Sequence, residues 1–281
     1  MMAWKQHALC FRLLSPLHIG GRQAGNLRQT RGYVPGNVLW AALTARLTRD
    51  SGNGACGGQY LEMGRSVKEH FRFSYLYPAL PLDSTKAVVS PDDLETFYPW
   101  EPDGGFDYRF LDCHAGSALD YSRRTAAGGQ LREVEFIRPW TRPLTGEDGA
   151  TPVHLAGVAY VREGLPGPLA GWGRALDRIQ LGGERGYGWG RVRLAWAPKE
   201  GPSEDPVVRV SAGDPILAHV RVDAASVDVS GAVEPLVGWA RDNRENRSTR
   251  WRLSKAVICY APGAIVQSAR LFRIGENGLW L

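Results

Sequence analysis

Lysine is scarce in this sequence. It occurs only at Lys5, Lys68, Lys86, Lys199 and Lys255, so arginine supplies most of the 34 basic side chains behind the formal net charge of +5. A positive balance favours an acidic partner, and arginine suits planar, bidentate phosphate contacts and stacking on bases. A GC-rich genome produces the same excess, and composition alone does not separate the two causes. Cysteine is scarce as well: Cys10, Cys56, Cys113 and Cys259 stand far apart, with no C-x-x-C pair and no histidine at zinc-ligand spacing. That argues against a disulfide framework or a structural zinc and fits a reducing cytoplasm. No stretch approaches the ~20 apolar residues needed to cross a bilayer. The N-terminus, MMAWKQHALCFRLLSPL, has no charged leader followed by a long apolar run and a small-residue cleavage site. The expectation is a soluble cytoplasmic protein with no membrane contact.

What is present is enough apolar sequence for a real core: 43% hydrophobic against 22% charged residues over 281 positions. Residues 8–14 read as a strand ending at Ser15 and Pro16. A turn-rich basic stretch, 20–32, carries Arg22, Arg28 and Arg31. After Pro35-Gly36, with Asn37 as expected N-cap, Leu39, Leu43 and Leu47 recur every four residues and predict a helix that ends in the glycines of 52–58. Residues 71–76 alternate as a strand. The segment 78–130 lacks sustained periodicity and reads as a long insertion with little regular structure. Strands are expected at 132–137 and 153–161. Leu165, Leu169, Trp172, Leu176 and Ile179 predict a further helix, stopped by Gly182-Gly183 and followed by a strand at 191–196. Residues 198–206 read as a linker or long hairpin loop, with strands beyond it at 216–222, 256–260 and 265–272. The order predicts an α+β fold: a ferredoxin-like (RRM-like) βαββαβ domain over 1–197 with an insertion at about 78–130. A smaller β-rich part, 198–281, would follow.

The most informative stretch is Leu181-Gly-Gly-Glu-Arg-Gly-Tyr-Gly-Trp-Gly-Arg-Val192. Gly182, Gly183, Gly186, Gly188 and Gly190 put five glycines in nine residues. Such density permits positive φ angles and close backbone approach to a ligand, and successive N–H groups can cradle an anion. Gly183, Gly186 and Gly188 are the positions expected to disfavour a side chain. Arg185 and Arg191 add charge, and Tyr187 and Trp189 add faces on which bases stack. The same stretch also reads as a tight helix-to-strand turn whose aromatics fill the core. It is not a P-loop, since no G-K-[ST] follows, nor a dinucleotide fingerprint, since it leaves a helix and enters a strand.

Three segments together resemble the RAMP superfamily of CRISPR systems. The loop is similar to that superfamily's C-terminal glycine-rich loop. Leu13-Leu14-Ser15-Pro16-Leu17-His18-Ile19-Gly20 resembles the end of its first strand. Tyr33-Val34-Pro35-Gly36-Asn37-Val38-Leu39 with Ala41-Ala42-Leu43 resembles the start of its first helix. Trp40 departs from the pattern, because family members often carry a basic residue there. The stretch Leu119-Asp120-Tyr121-Ser122-Arg123-Arg124-Thr125-Ala126, with Gly129, Leu131 and Glu135, resembles the type III subunit that caps the 5′ handle of the guide, most like that of type III-D. The resemblance implies a guide-RNA-binding role beside other effector subunits, with RNA held by backbone and shape and by stacking on splayed bases.

The superfamily also includes metal-independent endoribonucleases, often with histidine as general acid or base. His18, at a strand end beside a basic loop, is the best-placed candidate; it equally reads as a histidine that fixes the loop. His114, with Asp112 and Asp120 nearby, shows no ligand spacing, and neither a metal nor any other cofactor is expected. Asp50 and Asp83 stand out from ordinary solvated acids in no way. Arg241, Arg244, Arg247 and Arg250 recur every three residues. In a helix they would form a basic stripe along a phosphate backbone; they equally read as a solvated turn with Glu–Arg pairs. Arg123-Arg124 is a shorter version. A guide-processing endoribonuclease and a scaffolding subunit with little RNA contact remain the alternatives.

Overall fold

Alternation along β1 (Trp4–Leu13) turns Leu9, Phe11 and Leu13 to one face of a sheet, where they are almost completely buried. The computed structural model describes residues 3–52, 57–101, 105–146, 149–198, 201–202, 204–223, 228–242, 250–253 and 256–281. After β1 come a hairpin of β2 (Gly20–Ala24) and β3 (Leu27–Thr30), helices α1 (Gly36–Ser51) and α2 (Gly57–His70), then β4 (Phe71–Phe73) and β5 (Tyr77–Pro81). Next lie β6 (Leu94–Thr96), α3 (Phe106–Phe110), β7 (Leu111–Gly116), the short pair β8 (Leu119–Asp120) and β9 (Thr125–Ala126), and β10 (Arg132–Ile137). β11 (His154–Arg162), α4 (Trp172–Leu176) and β12 (Val192–Leu194) follow.

β1 is flanked by β12 and β11, and β11 pairs on its other side with β4 and β5, all antiparallel. β4 and β5 act as one strand interrupted at 74–76. There Ser74 N donates to Val158 O (2.9 Å), and Val158 N donates to Ser74 Oγ (2.8 Å). Counted so, the strands lie in the order four, one, three, two, with helices after the first and third. That is the ferredoxin-like βαββαβ arrangement expected from the sequence. Leu39, Leu43 and Leu47 of α1 lie against Phe11, Phe73 and Leu155 in one buried cluster. Removing one such leucine side chain costs about 2–5 kcal/mol.

Several local expectations are corrected. Helix α1 ends at Gly52 as expected, but a second helix that was not expected, α2, follows it. Met63 and Val67 bury one of its faces, and Trp40 explains its seat. The indole Nε1 donates to Gly64 O (2.9 Å), and the Lys68 ammonium lies 4.7 Å from the ring centroid. The residue that departs from the family pattern thus fastens α2 to α1. Helix α1 begins on Gly36 after Pro35, so Asn37 sits inside the first turn and does not cap it. The helix expected at 165–179 is a 3-10 turn (Gly167–Leu169) and the five-residue α4. Pro166, Pro168, Gly171 and Gly173 break the backbone while the apolar spacing still points inward.

The stretch read as an irregular insertion is largely built. It completes β5, adds β6 to the sheet edge, and supplies β7 to a second sheet of order β2-β3-β10-β7. In that sheet β3 and β10 run parallel, and reciprocal backbone bonds between Leu17 and Ile137 (3.0 and 2.8 Å) tie it to the end of β1.

The C-terminal strands are short. β13 (Val207–Val210) pairs with β21 (Arg270–Arg273) within the stretch that follows the expected linker. β14 (Val220–Arg221) and β16 (Val233–Leu236) flank β19 (Val257–Tyr260), and β15 (Val229–Ser230) pairs with β20 (Ile265–Val266). The continuous strands expected at 216–222 and 265–272 are therefore each interrupted. β17 (Trp239–Asp242) pairs with β18 (Arg250–Leu253), so Arg241 and Arg250 lie on a hairpin and not on a helix. Arg244 and Arg247 lie outside the described residues.

These strands close the other face of the ferredoxin-like sheet. Tyr33, Tyr75, Tyr77 and Tyr160 are buried with Ile216, Val220, Val266, Phe272 and Trp280. A polar network runs through the contact. Tyr75 Oη is 2.7 Å from His219 Nδ1, His219 Nε2 is 2.6 Å from Glu234 Oε1, and Arg31 Nη1 donates to Glu234 Oε1 (2.5 Å) and to Tyr33 Oη (2.9 Å). Burial opposes the Glu234 charge, but hydrogen bonds from His219 and Arg31 hold its carboxyl down at about 2. Burial lowers the pKa of His219, whose ring is fully enclosed, and its Nε2–H donates to the Glu234 carboxylate. Among the described residues no helix is long and apolar enough to cross a membrane.

Burial, with Arg12 adding to it, also pushes His154 of β11 down to about 4. A buried neutral histidine binds its proton only after unfolding. Its contribution is therefore complete above pH 6.5 and is lost as pH falls from there towards 4. Unfolding followed from pH 7 to pH 4.5 should show a stability loss of about 2 kcal/mol from His154, allowing for solvent screening. His154→Gln should flatten that slope; an unchanged pH profile in the variant would assign the acid sensitivity elsewhere.

Candidate nucleic-acid interface

The glycine-rich loop springs from the point where β1 ends and β12 begins. Its backbone is fastened to residues 14–18 at every turn. Leu14 N donates to Arg191 O (2.9 Å), Gly190 N to Pro16 O (2.7 Å) and Gly183 N to His18 O (2.8 Å). Arg191 N donates to Ser15 Oγ (2.9 Å), and Leu181 N closes the loop on Gly190 O (2.9 Å). Two of the three segments that carried the family resemblance are thus one structural unit. The closeness of the two backbones sets the glycines. A Cβ on Gly182 would stand 2.2 Å from His18 O, and one on Gly190 1.9 Å from Leu181 O, with φ at +71° and +74°. Gly188 is also left-handed, at φ +83°. A Cβ on Gly183 would meet His18 Cδ2 at a tight 3.3 Å and His18 O at 3.8 Å, whereas Gly186 has open space around it. Gly188 and, through crowding, Gly183 are thus constrained as expected, Gly186 is not, and Gly182 and Gly190 are the most constrained of the loop.

The loop's outer turn is a 3-10 turn at Arg185–Tyr187. Arg185 and Arg191 are exposed, and Tyr187 is 70% exposed. Trp189 takes the other course: its ring meets Phe136 at 5.1 Å and His114 at 6.1 Å, which anchors the loop on β10 and β7. Of the two aromatics, Tyr187 is the exposed one and Trp189 a fastening. Glu184, at φ +52°, turns back to the β2–β3 hairpin and β10, where it pairs with Arg28 (3.4 Å) and Arg132 (3.9 Å). The Arg132 guanidinium also lies 5.2 Å from the centroid of the Tyr187 ring.

The loop, the hairpin and β10 therefore bring Arg28, Arg132 and Tyr187 together around Glu184, and Arg22, Arg185 and Arg191 are exposed on the surface of the same elements. Arg132 and Glu184 were not singled out from sequence. The available signal was the strand parity of Arg132 and Phe136, which turn to the same face of β10. Arg31 does not join this surface, because Glu234 and Tyr33 hold its guanidinium in the buried network. Arg123 and Arg124 sit at the tip joining β8 to β9. There Asp120 Oδ1 accepts from Ser122 N and Arg123 N, and Arg124 is left-handed at φ +53°. That tip also carries Tyr121, 86% exposed.

His18 is buried, and its Nδ1 lies 2.8 Å from Glu135 O, so Nδ1–H donates to β10 while the His18 carbonyl receives Gly183 N–H. Those two bonds fix the loop against the second sheet. Asp50 is paired with Arg46 and with Arg178 (2.8 Å). The hydrogen bond from Arg46 holds its carboxyl below the usual range. Asp83 is held near 2 by Thr85 and Lys86 at the surface. Asp112 pairs with Arg138 and Arg142, away from any grouping with His114. Among the described residues no group of three or more His, Cys, Asp or Glu could hold a metal ion. The open face of the sheet, on which an RRM stacks bases, is filled here by the buried tyrosines and the C-terminal strands.

No protein-family model and no curated protein matches the chain. Among solved structures, a chain of the Type III-B Cmr-beta bound to cognate target RNA and AMPPnP gives a TM-score of 0.46 at 13% identity, covering 92% of this chain and 86% of that chain. A chain of Cmr-beta bound to cognate target RNA gives 0.45, with the same 13% identity and the same 92% and 86% coverage. A chain of its apo state gives 0.39 at 11% identity, covering 67% of this chain and 96% of that chain. TM-scores below 0.5 add nothing to the strand order, which stands on the pairing of the strands themselves.

Close approach at two glycines yields a direct test. Gly182→Ala and Gly190→Ala should each lower stability by about 2 kcal/mol or more in denaturant titrations, and Gly186→Ala should stay within about 0.5 kcal/mol of wild type. Equal effects at the three positions would mean that the loop is not seated on residues 14–18.

Proposed function

We propose that this chain is a RAMP-superfamily subunit of a type III CRISPR effector complex that binds guide RNA. Its position would be the cap on the 5′ handle, most like the type III-D subunit. Its partners would be the guide RNA and neighbouring effector subunits. In this reading sequence is read by base pairing of the guide, and the protein grips backbone and splayed bases. No cofactor enters the reading. The observation that carries it is the pinned loop, which holds Arg185, Tyr187 and Arg191 outward from a backbone already fixed by residues 14–18. Little backbone entropy is then lost when RNA arrives.

The resemblance supports the RAMP reading through residues that meet in space, since the 13–20 segment is the seat of the loop. The type III capping role rests on the 119–135 stretch, which spans the β8–β9 hairpin and β10 beside the loop. His18 favours holding over cutting: its Nδ1 and its carbonyl are both engaged in fixing the loop.

Guide-RNA titrations at several salt concentrations test the assignment. Arg185→Ala and Arg191→Ala should each weaken binding about three- to tenfold and flatten the slope of log affinity on log salt by about one ion. Arg241→Ala and Arg250→Ala should do less. Equal losses at all four would reduce the interaction to diffuse attraction, and larger losses at 241 and 250 would move the contact to the β17–β18 hairpin.

A further inference from the structure

A small cleft lies between α1 and the glycine-rich loop, on the helix side of the arginine surface. It encloses about 250 Å³. Its floor is Ala42 and Ala45, and its walls carry Arg46, Arg49, Arg178 and Arg185. On α1 the positions 42, 45, 46 and 49 fall on one face, so two small residues leave the room that two arginines border. Four arginines thus line one cleft, and Asp50 answers two of them. It is bonded to Arg46 and Arg178. Arg49 and Arg185 have no acid partner among the described residues. The cleft therefore carries an excess of positive charge.

We propose that this cleft is a phosphate subsite, and that its ligand is a backbone phosphate of the same RNA strand that lies on the loop. The assignment rests on the RNA-binding reading above and extends it across the molecule. Arg185 belongs to both the loop and the cleft, so a strand leaving the loop meets α1 next. Guanidinium groups match phosphate oxygens in paired, charge-assisted hydrogen bonds. The Arg46–Asp50–Arg178 bridge holds two of the four in place before a ligand arrives, which leaves Arg49 and Arg185 to close on it.

Arg49 is the residue to test. It is exposed, is bonded to no acid and lies outside the glycine-rich loop, so its loss leaves both the bridge and the loop seat intact. Guide-RNA affinity and its salt slope are measured for wild type, Arg49→Ala, Arg49→Lys, Arg185→Ala and Arg191→Ala. Melting midpoints are compared in phosphate and in chloride at matched ionic strength. The expected result is a loss of about three- to tenfold in Arg49→Ala, with the slope flatter by about one ion. Arg49→Lys should recover the slope, and phosphate should raise the midpoint of wild type more than that of Arg49→Ala. Unchanged RNA affinity in Arg49→Ala, with losses in Arg185→Ala and Arg191→Ala, would overturn the cleft and leave the loop reading standing. Phosphate stabilisation that depends on Arg49, with unchanged RNA affinity, would assign the cleft to a free phosphate ion and overturn the strand assignment. No loss in any variant would remove the RNA reading and the cleft together.

Discussion

Pro16 and His18 each give a carbonyl to the backbone of the glycine-rich loop, and the loop's shape follows from those two bonds. They bring two segments so close that Gly182 has no room for a Cβ beside His18, while the loop's own closure leaves none at Gly190 beside Leu181. They also sit where β1 and β12, neighbouring strands of the ferredoxin-like sheet, run out. The loop is therefore an extension of the sheet's own framework. In its outer turn Arg185, Gly186 and Tyr187 are all exposed. That division, a pinned base and a free rim, distinguishes a binding loop from a connection that merely fills a core.

The C-terminal strands have a consequence for where RNA goes. A ferredoxin-like sheet with its face open offers a stacking platform. Here Tyr33, Tyr75 and Tyr77 are committed to the core, and Arg31, Glu234, His219 and Tyr75 form a closed chain of hydrogen bonds across the contact. Breaking one member would leave a buried charge or donor without its partner, at a cost of about 3–5 kcal/mol. The covering is thus a fixed part of the fold. Under the proposed function, RNA would meet not the sheet face but the arginines of the loop, the β2–β3 hairpin and β10.

The strand-helix order was legible because the long strands and α1 carry clean periodicities: Leu9, Phe11 and Leu13 by twos, Leu39, Leu43 and Leu47 by fours. The rest failed for physical reasons that differ from place to place. Met63 and Val67 alone mark α2, and flanking glycines hid it. At 165–179 the apolar spacing was right and the backbone was not, because prolines and glycines stop an α-helix without changing which side chains face inward. The strands within 78–130 run two to six residues, too short for alternation to stand out, and β7 owes its existence to β10, a partner sixteen or more residues away. In the site, composition located the loop but not the roles within it. Trp189 and Tyr187 look alike in sequence, yet only the position of Phe136 and His114 makes one an anchor. Arg31 looked like its basic neighbours, and only the distant Glu234 removes it from the surface.

The central claim is that RNA lies on the pinned loop and not on the sheet face or the C-terminal strands. Ultraviolet cross-linking of bound guide RNA, with the attached peptides identified by mass spectrometry, tests it most directly. The account predicts cross-links at Tyr187 on the loop's rim, with none at Tyr75, Tyr77 or Tyr160. Cross-links confined to the C-terminal strands, or to the aromatics of the covered face, would contradict it.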